Sequence, residues 1–143
     1  MEEKILNVLL VEDDEVDIMN VKRAFKKHNI KNPLYVACDG CEALEMLRGE
    51  NSQHPNIPQQ RRIILLDLNM PRMGGLEFLQ EIRADSNLKS IPVVILTTSD
   101  EDKDRIKAYN LNVAGYLLKP VKFSMFAETM ATLNKYWSLC EIP

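Results

Sequence analysis

Five short apolar runs, each followed by a stretch with helical periodicity, set the narrowest limit on how this chain can fold. The runs are residues 6–12 (Leu-Asn-Val-Leu-Leu-Val-Glu), 34–38, 63–66 (Ile-Ile-Leu-Leu), 93–96 (Val-Val-Ile-Leu) and 115–118. Short runs rich in β-branched and aliphatic residues are the pattern of strands covered on both faces. After the first run, Asp14 is placed to cap a helix that puts Ile18, Val21 and Phe25 on one side. Asp39, with Glu42 three residues on, has capping-box spacing for a second helix. Gly74 and Gly75 open a third that carries Leu79 and Ile82, and Ser99 with Asp102 marks a fourth. The last helix aligns Phe123, Phe126, Met130, Leu133 and Trp137 at spacings of three and four. Strands alternating with amphipathic helices imply an α/β fold: a five-stranded parallel, doubly wound sheet with right-handed crossovers. The polar stretch from Gly49 to Gln60, with Pro55 and Pro58, reads as a loop.

The 143 residues suit one domain over residues 1–143, with a core from about 6 to 133 and a C-terminal tail from 134 to 143. Net charge is −3 and no basic run marks a nucleic-acid or membrane surface. The N-terminus lacks a signal-peptide pattern and no apolar run would span a bilayer, so a cytoplasmic protein is expected. Three cysteines (Cys38, Cys41 and Cys140) without a secretory signal argue against a disulfide framework. His28 and His54 are not in zinc-ligand spacing with them.

In an open parallel sheet, ligands gather outside the carboxyl ends of the strands where strand order reverses. Here the first run ends in Glu12-Asp13-Asp14, the third in Asp67, the fourth in Thr97-Thr98 and the fifth in Lys119-Pro120. Glu12, Asp13 and Asp67 concentrate negative charge, which needs a cation, and oxygen ligands with water and phosphate suit Mg²⁺. One carboxylate can then act as nucleophile towards phosphorus, with a lysine and a hydroxyl taking phosphoryl oxygens.

The strings Val-Glu-Asp-Asp (11–14), Leu-Leu-Asp-Leu-Asn-Met-Pro (65–71), Gly-Gly (74–75), Thr-Thr-Ser (97–99) and Gly-Tyr-Leu-Leu-Lys-Pro (115–120) resemble the response-regulator receiver family of two-component signalling, in order and in spacing. The resemblance runs from about Leu6 to Leu133 and implies a flavodoxin-like (βα)5 receiver fold. It implies Asp67 as the phosphoacceptor for a sensor histidine kinase. Glu12, Asp13, Asp67 and the backbone carbonyl of Asn69 are implied as the Mg²⁺ ligands. Thr97 and Lys119 match the phosphate-binding hydroxyl and lysine, and Thr97 with Tyr116 the conformational switch. The peptide bond before Pro120 is implied to be cis. Thr98 stands where many receivers carry a smaller residue, and Glu12 where many carry Asp.

The 49–60 loop and the tail from Tyr136 to Pro143 are similar to the small response regulators paired with bacterial and cyanobacterial phytochromes. Those regulators are often homodimers, so a homodimer is implied, and signalling to an unidentified downstream protein by surface contact is expected. Trp137, Leu139 and Ile142 lie beyond the expected core edge, where they either pack back on the domain or form an apolar patch for a partner, the second being favoured. The chain ends soon after the fifth helix, so no output domain is expected. A signalling module rather than an enzyme is therefore expected. A phosphoaspartate hydrolase resembling the haloacid dehalogenases would carry Asp-x-Asp after its first strand, whereas here the acceptor follows the third and Asn69 stands at plus two. A pseudo-receiver is disfavoured by Asp67, Thr97 and Lys119. Cys38-Asp-Gly-Cys41 has redox-pair spacing, but Asp39-Gly40 serves equally to start the helix.

Overall fold

The computed structural model describes residues 5–49, 57–68, 70, 73–97, 111–118 and 122–138, and of Thr97, Leu118, Phe123, Leu133, Tyr136, Trp137 and Ser138 the backbone alone. The elements are β1 (Asn7–Val11), α1 (Glu15–Lys27), β2 (Leu34–Ala37), α2 (Gly40–Arg48), β3 (Arg62–Asp67), α3 (Gly75–Ala84), β4 (Val93–Thr97), β5 (Gly115–Leu118) and α4 (Phe123–Ser138). The five strands form one sheet in the order β2-β1-β3-β4-β5, and every pairing is parallel. The helix expected from Ser99 falls outside the described residues. No described helix is long and apolar enough to cross a membrane.

Local signals set the helix starts. Asp14 has extended backbone, and its carboxylate accepts from the amides of Val16 at 2.8 Å and Asp17 at 3.2 Å. Those are two of the donors that a helix N-terminus leaves without an intrahelical partner. Asp39 accepts from the Glu42 amide at 2.9 Å in the same way. α3 has Gly74 at its cap and no side-chain bond there. α2 stops at Gly49, whose φ of 71° is the left-handed conformation glycine adopts without a Cβ clash.

Period-two alternation sorts the strand side chains onto two faces. Leu9, Val11, Ile64, Leu66, Val93 and Ile95 pack with Leu44, Leu47, Phe78, Leu79 and Ile82 of α2 and α3. Val8, Leu10, Ile63, Leu65 and Leu96 pack with Ile18, Val21 and Phe25 of α1 and with Phe126 and Met130 of α4. Each large side chain buried this way contributes about 1.5–3 kcal/mol. The rings of Phe25 and Phe126, 6.1 Å apart, join the two helices of the second face. The side chains of Phe123, Leu133 and Trp137, aligned with Phe126 and Met130 by the sequence, lie outside the described part of the structure.

Candidate functional site

Strand order turns back between β1 and β3: the chain leaves β1 for the β2 edge and returns through β3 towards β4 and β5. Val11 pairs with Leu66 in register, so Glu12 and Asp67, the next residue on each strand, reach the same level at the carboxyl rim. The Glu12 amide continues the ladder to the Ala37 carbonyl at 3.0 Å. Carboxylate oxygens of Glu12, Asp13 and Asp67 all lie within 4.8 Å of one another. Glu12 and Asp67 are buried, with 1% and 5% of their surface exposed, while Asp13 is open to solvent. The Asp14 amide donates to Glu12 Oε1 at 3.2 Å, which ties the buried glutamate to the start of α1.

Three carboxylates this close repel, and two have given up most of their water. Such a set favours a hard divalent cation with oxygen ligands, and the open side at Asp13 leaves room for water or an anion to complete the shell. The donor chemistry therefore fits Mg²⁺ or Mn²⁺.

Two contacts fix the chain that follows Asp67. The Gly75 amide donates to the Leu68 carbonyl at 3.2 Å, returning the chain beneath the site into α3. A Cβ on Gly75 would lie 2.5 Å from Leu68 Cα and 2.6 Å from the Asp67 carbonyl oxygen, so only glycine fits there. Opposite, Gly40 packs on Met73, and its amide donates to the Met73 carbonyl at 3.3 Å.

Of the other residues singled out by the sequence, Tyr116 is described, and it is half-buried against the α2/α3 cluster with its backbone paired to Ile95. Thr97 ends β4, with its backbone paired to Leu118. Asn69, Lys119 and Pro120 lie outside the described residues, as do the tail from Leu139 and residues 50–56 of the loop. The rest of that loop is not all solvent-facing polar chain: Ile57 is buried in the core at its end. Cys38 and Cys41 are both free thiols. Partial burial, with help from Glu42, Asp39, Asp13 and Glu15, pushes the Cys38 thiol up and disfavours the thiolate that redox exchange needs.

Sequence reasoning missed two arginines. Arg62 is 3% exposed at the start of β3, and its Nη1 donates to the Leu47 carbonyl at 3.1 Å, where a cation meets the negative end of α2. Arg83 reaches four backbone carbonyls, two in the α3–β4 turn and two in the segment leading into β5. A lone arginine in a sequence carries no signal for either role.

A parallel five-stranded sheet with an acidic cluster at its topological switch defines the class, and the comparisons agree. The family model for the response regulator receiver domain matches residues 8–131, and the chain belongs to that family, which serves two-component signalling. Response regulator Rcp1 of Synechocystis is 37% identical over 134 residues, which are 91% of this chain and 87% of Rcp1. The solved Mn²⁺-bound form of Rcp1 overlays with a TM-score of 0.70 at 34% identity, covering 96% of this chain and 99% of that one. The bacteriophytochrome response regulator RtBRR gives a TM-score of 0.75 at 39% identity, over 90% of this chain and 78% of that one. The phosphorylated cyanobacterial phytochrome response regulator RcpA gives 0.70 at 33%, over 97% and 99%.

Proposed function

We propose that this chain accepts a phosphoryl group on Asp67 from the phosphohistidine of a sensor histidine kinase, and signals by the change in surface that follows. The observation that carries this reading is the buried Asp67 carboxylate within 4.8 Å of Glu12 and Asp13 at the sheet's switch point. An oxygen of Asp67 attacks phosphorus; the P–N bond to the kinase imidazole breaks and its electron pair returns to the ring. Glu12, Asp13, Asp67 and the Asn69 carbonyl would hold Mg²⁺, which when bound neutralises charge on the carboxylates and the phosphoryl oxygens. Lys119 and Thr97 take the remaining oxygens. Tyr116, half-buried beside the α2/α3 cluster, changes its packing as Thr97 turns, and the population of the altered surface is the signal.

The likeness to RtBRR and RcpA supports a bacterial or cyanobacterial phytochrome as the kinase. In this reading the apolar tail residues Trp137, Leu139 and Ile142 form the contact of a cytoplasmic homodimer that acts on a downstream protein. Trp137→Asp is then expected to shift sedimentation towards monomer.

The deciding experiment incubates the protein with a phosphoramidate and Mg²⁺ and weighs the intact chain. One phosphoryl adduct is expected, absent from Asp67→Asn and from an EDTA-treated sample. Folded parent protein that never gains the adduct would overturn the reading in favour of a constitutive binding module.

A further inference from the structure

Charge is segregated along α1. Its N-terminal end carries Asp13, Asp14, Glu15 and Asp17, and its exposed C-terminal half carries Lys22, Arg23, Lys26 and Lys27, followed by Lys31. The cations fall in two exposed rows, Lys22 with Lys26 and Arg23 with Lys27, because residues four apart share a helix face. Among the described residues no carboxylate pairs with any of these five. Lys26 and Lys27 answer the negative end of the α1 dipole, and Lys135 does the same for α4. Lys22, Arg23 and Lys31 lie outside any last turn, so the dipole does not account for them.

Beside this face is a cavity of about 220 Å³, between the chain following α1 and the end of α4. Ile5, Ile30 and Met130 give it apolar walls, and His28, Lys31 and Lys135 stand at the same opening. Asn32 and Asn134 close it by exchanging amide hydrogen bonds at 3.0 and 2.9 Å, so the polar groups at its end are satisfied and a ligand there meets mainly carbon.

We infer that this face docks an acidic segment of a partner protein, with one large apolar side chain of that segment seated in the cavity between His28 and Lys135. The net charge of the chain is −3, so attraction for an acidic partner is confined to this face and orients it. Nucleic acid and membranes fit less well. The 13 residues of α1 span about 20 Å. An extended polyanion following the cations back along α1 would therefore meet Asp17, about 7.5 Å from Lys22 along the axis and within one Debye length at physiological salt. The inference does not depend on phosphorylation of Asp67.

The test uses the full chain and a fluorescein-labelled helical peptide of Glu and Ala with one central Leu, beside the same peptide with Ala for Leu. The Leu peptide is expected to bind about tenfold more tightly, as for burial of one such side chain. Ala131→Leu, which adds bulk to the cavity wall from an exposed position on α4, is expected to erase that preference while leaving the weaker charge attraction. The triple variant Lys22→Gln, Lys26→Gln, Lys31→Gln is expected to weaken both peptides. Amide shifts of Ile30 and Asn134 on titration give a second readout that does not require the variants to fold. Equal affinity for the two peptides, or no shift at Ile30 and Asn134, would overturn the inference. So would a short DNA duplex or phosphatidylserine vesicles displacing the Leu peptide from the parent protein at matched charge, which would make the face a polyanion or membrane reader.

Discussion

Gly75 sits directly against Leu68: its amide reaches the Leu68 carbonyl at 3.2 Å, and a Cβ in its place would stand 2.5 Å from Leu68 Cα. The atoms in the way are backbone of the turn that carries Asp67, so they cannot swing aside as a flexible side chain would. Gly75→Ala is expected to destabilise the fold by about 1–3 kcal/mol, the usual cost of overpacking. It should also weaken divalent-ion binding, because relieving the clash displaces Asp67. Urea unfolding measured with and without Mg²⁺ separates the two effects. A variant as stable as the parent would mean that the β3–α3 turn yields to the added methyl without cost.

Asp13 is the solvent-exposed member of the acidic cluster, so replacing it changes charge without opening the core. Asp13→Asn is expected to melt at or above the parent temperature in EDTA, since one repulsion is removed. Mg²⁺ should raise the parent's Tm much more than the variant's. An ion bound only by the folded state adds about 2.7 kcal/mol at roughly a hundredfold excess over Kd. Calorimetry in both buffers checks this, and an equal Mg²⁺ response in parent and variant would remove Asp13 from the ligand set.

Arg83 donates from Nε to Leu111 O at 2.9 Å, from Nη1 to Lys89 O at 2.9 Å and Ile91 O at 3.0 Å, and from Nη2 to Asn112 O at 3.0 Å. Asn112 is held in the left-handed region, at φ 43°, on the way into β5. Arg83→Ala leaves these carbonyls without the guanidinium and is expected to cost about 2–4 kcal/mol, some of it recovered by water. Arg83→Lys should recover only part of the loss, because a point charge cannot reproduce a planar fork with five donors. Equilibrium unfolding of both variants measures it.

Asp85 lies at the end of α3, where Oδ1 accepts from the Asn87 amide at 2.8 Å and Oδ2 meets Arg48 Nη2 at 3.2 Å. The Asn87 amide, and then Arg48, hold its carboxyl below the ordinary aspartate value despite an opposing desolvation effect. A carboxylate with a depressed folded-state pKa stabilises the fold above its unfolded value, near pH 4, and that share is lost as pH falls through the folded value. Asp85→Asn should therefore be less stable than the parent at neutral pH, with the gap closing under acid. Chemical denaturation across an acid-to-neutral pH series reads this directly, and a gap independent of pH would mean that the charge contributes nothing.

Much of this fold is legible because its signals are local. Asp14 and Asp39 announce helix starts through bonds to amides two or three residues away. Five apolar runs announce strands whatever their partners, although the edge strands β2 and β5 prove only half-buried. Strand ends were less exact: β3 extends to Arg62, a residue that looks like a boundary until the Leu47 carbonyl is there to receive it. The pairing of Asn32 with Asn134 spans 102 positions, and nothing near either residue announces it. The cations of α1 are interrupted in sequence by Ala24 and Phe25, so no basic run is visible; coiling turns those two inward and gathers the charges outside.

By itself, the sequence determined the kinds of unit, their order and the residues capable of phosphoryl chemistry at the strand ends, because periodicity and capping act over a few neighbouring residues. Tertiary structure decided which of those residues meet. The 2-1-3-4-5 order sets β1 beside β3, and the register Val11–Leu66 aligns Glu12 with Asp67. The buried position of both carboxylates beside exposed Asp13 then follows from the packing of two helical layers on one twisted sheet. Side chains 55 positions apart, such as Glu12 and Asp67, are brought within ligand-sharing distance by hydrogen-bond register between strands, which no local pattern in the chain encodes.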